Sequence, residues 1–84
     1  MKTIWKFPVN GRPFSAPVTK FLDVRVQDEN VFVWVEVDTN MDESKYMVFP
    51  ICTGDIVEDK MCYISTILFG EDGSYVLHYY WARV

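Results

Sequence analysis

The sequence is poor in the residues that most chemistries require. It has one histidine, two cysteines, four glycines and four prolines among 84 residues. Two cysteines and a histidine fall short of the four ligands of a structural zinc site, so no metal is expected. The glycines stand singly at turn-like positions, which excludes a glycine-rich phosphate loop. No apolar run reaches the roughly 18 residues of a membrane-spanning helix. Residues 1–7 carry two lysines and no long apolar stretch, so no signal peptide is expected. Bases are also scarce: eight against twelve acids leave a net charge of -4, and they are scattered from Lys2 to Arg83. Such a chain is repelled by duplex nucleic acid, and direct binding to it is not expected.

Catalysis has equally little to build on. A nucleophile needs a base within reach. The lone His78 has only Ser65 and Ser74 as candidate neighbours, with no motif around them. No enzyme and no cofactor are expected. Cys52 and Cys62 would face each other if the segment between them were a hairpin loop. With no secretion signal, both read as reduced, buried, small hydrophobes.

What the chain does have is apolar and aromatic weight. Half of its residues are hydrophobic, 17% are aromatic and 24% are charged, which excludes intrinsic disorder. Its length is that of a single domain, burying about 60% of the unfolded surface and therefore holding a marginal core. Period-two alternation dominates. Val31, Val33, Val35 and Val37 alternate with Phe32, Trp34, Glu36 and Asp38, and Leu22, Val24 and Val26 alternate with Asp23, Arg25 and Gln27. Asp28-Glu29-Asn30 between them reads as a tight turn, so the two runs form a hairpin with a valine core face. Further strands are read over residues 3–9, 46–53, 62–69 and 75–83, with Pro50 favouring an edge or a bulge. The expected fold is all-β: about six antiparallel strands in a meander, closing as a small barrel or a two-layer sandwich. One short helix has room in residues 39–45 or 55–60.

Two surfaces stand out. The outer face of the hairpin carries Arg25, Trp34 and Glu36 beside Phe32, and Lys6 joins them if the first strand pairs nearby. A cation, a stacking ring and an acceptor suit a nucleotide-like or peptide-like ligand. The plainer reading of the same residues is an Arg25–Glu36 ion pair across the strands. The last strand is apolar on both faces, with Tyr75, Tyr79 and Trp81 on one and Tyr80 on the other. It is expected either to lie centrally or to form a homo-oligomer interface, where such residue types concentrate. The acidic pairs Asp28-Glu29, Asp42-Glu43, Glu58-Asp59 and Glu71-Asp72 read as solvated loop tips or as a negative rim for a basic partner.

These segments resemble a family of small proteins of tailed bacteriophages and prophages. Lys6-Phe7-Pro8 is similar to its opening "KYP". Val24-Arg25-Val26-Gln27 and Val33-Trp34-Val35-Glu36-Val37-Asp38 are similar to its "VQVQ" and "LWAEVD". Thr53-Gly54 resembles part of "GTGHP", Tyr63-Ile64-Ser65-Thr66 resembles "YIGT", and Val76-Leu77-His78-Tyr79-Tyr80 resembles "VFHVF". The chain departs from the pattern at Cys52 and Asp55 and has a tail beyond Tyr80. The resemblance implies a phage accessory protein of the host bacterial cytoplasm. Its expected role is to sequester a nucleotide immune signal. The alternatives are an anti-CRISPR-like protein inhibitor of a host effector and a structural or morphogenesis component.

Overall fold

The valine alternation becomes the inside of a β-sandwich. The computed structural model describes all 84 residues and contains seven strands. They are β1 (Lys2–Pro8), β2 (Phe14–Ala16), β3 (Val18–Gln27), β4 (Asn30–Asp38), β5 (Ser44–Cys52), β6 (Cys62–Phe69) and β7 (Tyr75–Arg83). One sheet runs β1-β4-β3 and the other β2-β5-β7-β6, with every neighbouring pair antiparallel. The all-β expectation is met as a two-layer sandwich, not a barrel, because β3 and β6 face each other without a ladder. Residues 39–45 and 55–60 hold turns and extended chain instead of a helix. The chain contains no helix long and apolar enough to cross a membrane.

The connectivity is not a meander. β2 is only three residues long, between Pro13 and Pro17, too short for period two to reveal. At the buried Pro17 the chain changes sheets, and the Pro17 carbonyl accepts the Asp38 N–H at 3.0 Å. β5 and β6 are separated by β7, so residues 53–61 must cross β7 to join them. Asn30 opposes Gln27, which leaves Asp28 and Glu29 as a two-residue turn, both at positive φ (53° and 66°). Because β3 and β6 both run toward the end where that turn lies, the β3–β4 and β6–β7 turns share one end of the sandwich.

Val33, Val35 and Val37 are fully buried and Val24 nearly so, joined by Ala16, Val48 and Tyr79 from the other layer. Each buried valine contributes about 1.5–3 kcal/mol relative to its exposed state. Leu22 and Val26 do not join them: they are 37% and 46% exposed. A bulge between Phe21 and Asp23 shifts the alternation, so Phe21 rather than Leu22 opposes Val35. Phe21 stacks on Trp81 at 4.5 Å, and Phe7 stacks on Phe14 at 4.3 Å.

The double-sided character of β7 follows from its position between β5 and β6. Tyr79 is buried in the core, and Trp81 is half-buried against Phe21 and Tyr46. Tyr80 lies on the opposite face against Tyr63, and Tyr75 is exposed at the strand's start, tilted on Phe69. Pro50 sits where expected. β2 pairs only with Ser44–Tyr46, leaving the far half of β5 as an edge. The cysteines are free but exposed, contrary to the buried reading. Cys52 opposes Leu77 and Cys62 opposes Trp81 across an intervening strand, a separation of roughly 16 Å that no disulfide spans.

Candidate functional site

β4 is the middle strand of its sheet, so Phe32, Trp34 and Glu36 form a row down the centre of the outer face. β1 sets Pro8 opposite Phe32, Lys6 opposite Trp34 and Ile4 opposite Glu36. β3 sets Arg25 opposite Phe32, Asp23 opposite Trp34 and Lys20 opposite Glu36. The face is thus striped, with an aromatic centre between charged flanks.

Lys6 and the two rings make one unit. The Lys6 ammonium lies 4.5 Å from the Phe32 ring centroid and 6.0 Å from that of Trp34. It donates to Gln27 Oε1 at 2.9 Å, which fixes it above the rings. Phe32 and Trp34 meet edge to face at 6.2 Å. Both rings are half-buried, with the Lys6 ammonium lying over that of Phe32.

Arg25 flanks Phe32, not Trp34. Its Nε donates to Asp23, which holds the guanidinium firmly charged and leaves its outer edge exposed. Asp23 also accepts the Val24 N–H at 2.9 Å, so the acid is itself anchored. No Arg25–Glu36 pair forms, since Arg25 opposes Phe32, four positions along β4 from Glu36. Glu36 accepts the Thr19 hydroxyl at 2.7 Å and faces the Lys2 ammonium at 3.6 Å. The Thr19 bond, and then the Lys2 charge, hold its carboxyl below the usual range. Glu36 is held by Thr19 and Lys2 farther down the row, while Lys6, Trp34 and Arg25 border one patch with Phe32. Such a patch can stack a planar group and meet an anion at its two cationic margins.

A second arrangement was not legible in the sequence. On the outer face of the four-stranded sheet, His78 Nε2 meets Thr53 Oγ1 at 2.9 Å and His78 Nδ1 meets Thr66 Oγ1 at 3.0 Å. Thr66 in turn meets the Tyr63 hydroxyl at 2.7 Å. Ser65 points the other way, into the sandwich, and Ser74 serves its turn, so neither is paired with His78. The crossing segment and His78 enclose a recess of about 220 Å³ lined by Ile51, Thr53, Asp55 and Tyr80. Three resembling motifs, at Thr53-Gly54, Thr66 and His78, meet here. The signal was three isolated polar residues whose adjacency only the crossing over β7 creates. No cluster of three or more metal-ligating side chains occurs.

The acidic tips do not form one rim. Asp28-Glu29 and Glu71-Asp72 share one end, while Asp42-Glu43 and Glu58-Asp59 precede β5 and β6 at the other. Glu58 faces Lys60 at 3.9 Å, and Asp72 accepts the Ser74 N–H at 3.0 Å. The chain belongs to the family described as Domain of unknown function (DUF7352), whose model matches residues 1–83. Neither a curated protein nor a solved structure matches it.

Proposed function

We propose that this chain is a non-enzymatic binding protein that takes a nucleotide-like ligand on the outer face of β1-β4-β3. The observation that carries the reading is the Lys6 ammonium held over Phe32 beside Trp34, with Arg25 on the opposite flank. A base stacked on such rings gains about 1–3 kcal/mol, and phosphate oxygens take charge-assisted bonds from lysine and arginine. An acidic protein attracts an anion only where cations are concentrated locally, and this face concentrates them. Joined to the resemblance to phage proteins, the reading is a sponge that sequesters a nucleotide immune signal in the host bacterial cytoplasm.

Native mass spectrometry of the protein purified from infected cells tests this directly. The expected result is a retained ligand of nucleotide mass that is lost in Arg25→Ala and Lys6→Ala, together with protection of the phage. Titration of the purified protein with cyclic dinucleotides and nucleoside triphosphates then assigns the class. Full protection by the Arg25→Ala variant, with no ligand retained by the wild type, would sink the sponge in favour of a protein inhibitor.

A further inference from the structure

The open side of the sandwich, where β3 and β6 face each other, meets the patch above only at its Arg25 margin. A cleft of about 630 Å³ runs between them, lined by Asp23–Val26 of β3 and Ser65–Leu68 of β6. Leu68 is 64% exposed beside it. β6 pairs only with β7, so one row of its backbone N–H and C=O groups is unpaired.

The four sheet edges differ in how they are protected. β1 carries Lys2, Lys6 and Pro8, β2 is three residues long with the β5 edge beyond it interrupted by Pro50, and β3 carries Lys20, Asp23 and Arg25. Each uses a known device against unwanted strand pairing. β6 reads CYISTILF, without a charge or a proline; a register shift between Tyr63 and Ser65 interrupts its start and leaves Ser65–Phe69 as a regular edge. On β3 the Val24 N–H and C=O are already taken by Ser65, so β6 is the receptive edge.

Charge selects what the edge receives. β3, β6 and the turns adjoining them carry the pairs Asp28-Glu29, Glu58-Asp59 and Glu71-Asp72 with Asp23, against Lys20, Arg25 and Lys60. That excess of four acids is the whole net charge of the chain, since the remaining bases and acids balance. A second copy would meet its own negative charge here, whereas a basic segment is attracted.

We propose that the β6 edge is a docking site for an extended, basic segment of a partner protein, which adds as a strand beside β6. Main-chain bonds to β6 supply affinity, alternate apolar side chains of the segment cover Val26 and Leu68, and flanking lysines or arginines meet the acidic turns. The cleft borders the aromatic patch at Asp23 and Arg25, but Lys6, Phe32 and Trp34 lie outside it, and the β6 edge stands whether or not that patch binds a nucleotide.

The probe is a synthetic eight-residue peptide of alternating valine and threonine with two lysines at each end, compared with the same peptide flanked by glutamates. Binding is read by amide chemical shifts of the full chain. The lysine peptide is expected to shift the amides of β6 and to bind at least about tenfold more tightly than the glutamate peptide at low salt. Backbone N-methylation of the peptide should abolish binding. Asp59→Lys with Glu71→Lys, two exposed positions without a side-chain partner, should reverse the charge preference. Failure of the lysine peptide to bind, equal binding of both peptides, or shifts confined to Phe32 and Trp34 would overturn the proposal. So would self-association in sedimentation that Leu68→Lys disrupts, because the edge would then belong to a second copy.

Discussion

Ser65 ties the two layers together at a single point on β3: its hydroxyl donates to the Val24 carbonyl at 3.2 Å and accepts the Val24 N–H at 3.1 Å. No other hydrogen bond joins β3 to β6. Val24 is among the most buried residues, so its carbonyl has no water to turn to. Its N–H keeps a second acceptor in Asp23. Ser65→Ala should therefore destabilise the protein by about 1–2 kcal/mol, most of it from the orphaned carbonyl. Urea unfolding checks this, and an unchanged midpoint would mean that the cleft admits water as a substitute.

The β3–β4 turn should be improvable. Asp28 and Glu29 both hold positive φ, a conformation that costs non-glycine residues about 1 kcal/mol. Two-residue hairpin turns of this hand favour glycine at the second position. Glu29→Gly is expected to raise stability by about 0.5 kcal/mol, the relief of strain exceeding the added freedom of the unfolded chain. Thermal melts of the two proteins decide the sign.

The contrast between this hairpin and the rest of the molecule explains what was legible in the sequence. Valine alternation over β4 reports a pleated strand with one buried face, and it reports it locally. β7 has two apolar faces, which leave a central strand and an interface equally open, and its place between β5 and β6 decides for the centre. Which sheet each strand joins is set by contacts between distant residues, and no periodicity records it. The bulge that exchanges Leu22 for Phe21 reverses the faces of Phe21 and Lys20, until a second shift between Val18 and Lys20 restores Val18, so the alternation misplaces Leu22. Residue type alone reads the cysteines as buried, whereas both fall at exposed strand ends. Arg25, Trp34 and Lys6 were legible as one face because alternation alone decides faces. Their neighbours were not, because register pairs Arg25 with Phe32 and gives Glu36 to Thr19.

Acid should weaken the fold through three carboxylates. Glu36 is held low by Thr19 and then Lys2, Asp38 by the Asn40 N–H and the N-terminal ammonium, and Asp72 by Ser74. In each case the folded pKa lies below the unfolded one, so the folded state binds fewer protons in acid. Their stabilisation is complete above the ordinary carboxylate pKa of about 4 and is lost as pH falls through the lower folded values. Melting temperature is thus expected to be flat from neutral pH to about 5 and to fall below about 4. Thr19→Val, which removes the largest cause at Glu36, should shrink the fall. A profile identical to the wild type would show that Lys2 alone suffices.

The cysteines should be chemically independent. Their separation across β7 forbids an intramolecular bridge, and both thiols are exposed. A thiol reagent should modify both in the native state. Melting temperatures with and without reductant should agree within about 5 °C, the shift that 1 kcal/mol produces at this size. A larger drop on reduction would require a cross-link that the fold does not accommodate.

Removing aromatic side chains separates the patch from the core. Tyr79 is 3% exposed, and burial raises the pKa of its hydroxyl. Tyr79→Ala should cost about 3–5 kcal/mol, as for other large buried rings, and much of the marginal stability of so small a domain. Trp34 lies on the other face of its sheet, in contact with Phe32 and the Lys6 ammonium but with no second layer above it. Its removal leaves no cavity, because solvent already reaches the site. Trp34→Ala should then cost only about 1 kcal/mol, from the lost edge contact and cation–π attraction. If nucleotide-like ligands bind this face, the same variant should lose them while remaining folded. Circular dichroism melts and ligand titration on the two variants read these effects separately. A Trp34→Ala protein destabilised as severely as Tyr79→Ala would place this tryptophan among the structural rings and leave the outer face without its stacking surface.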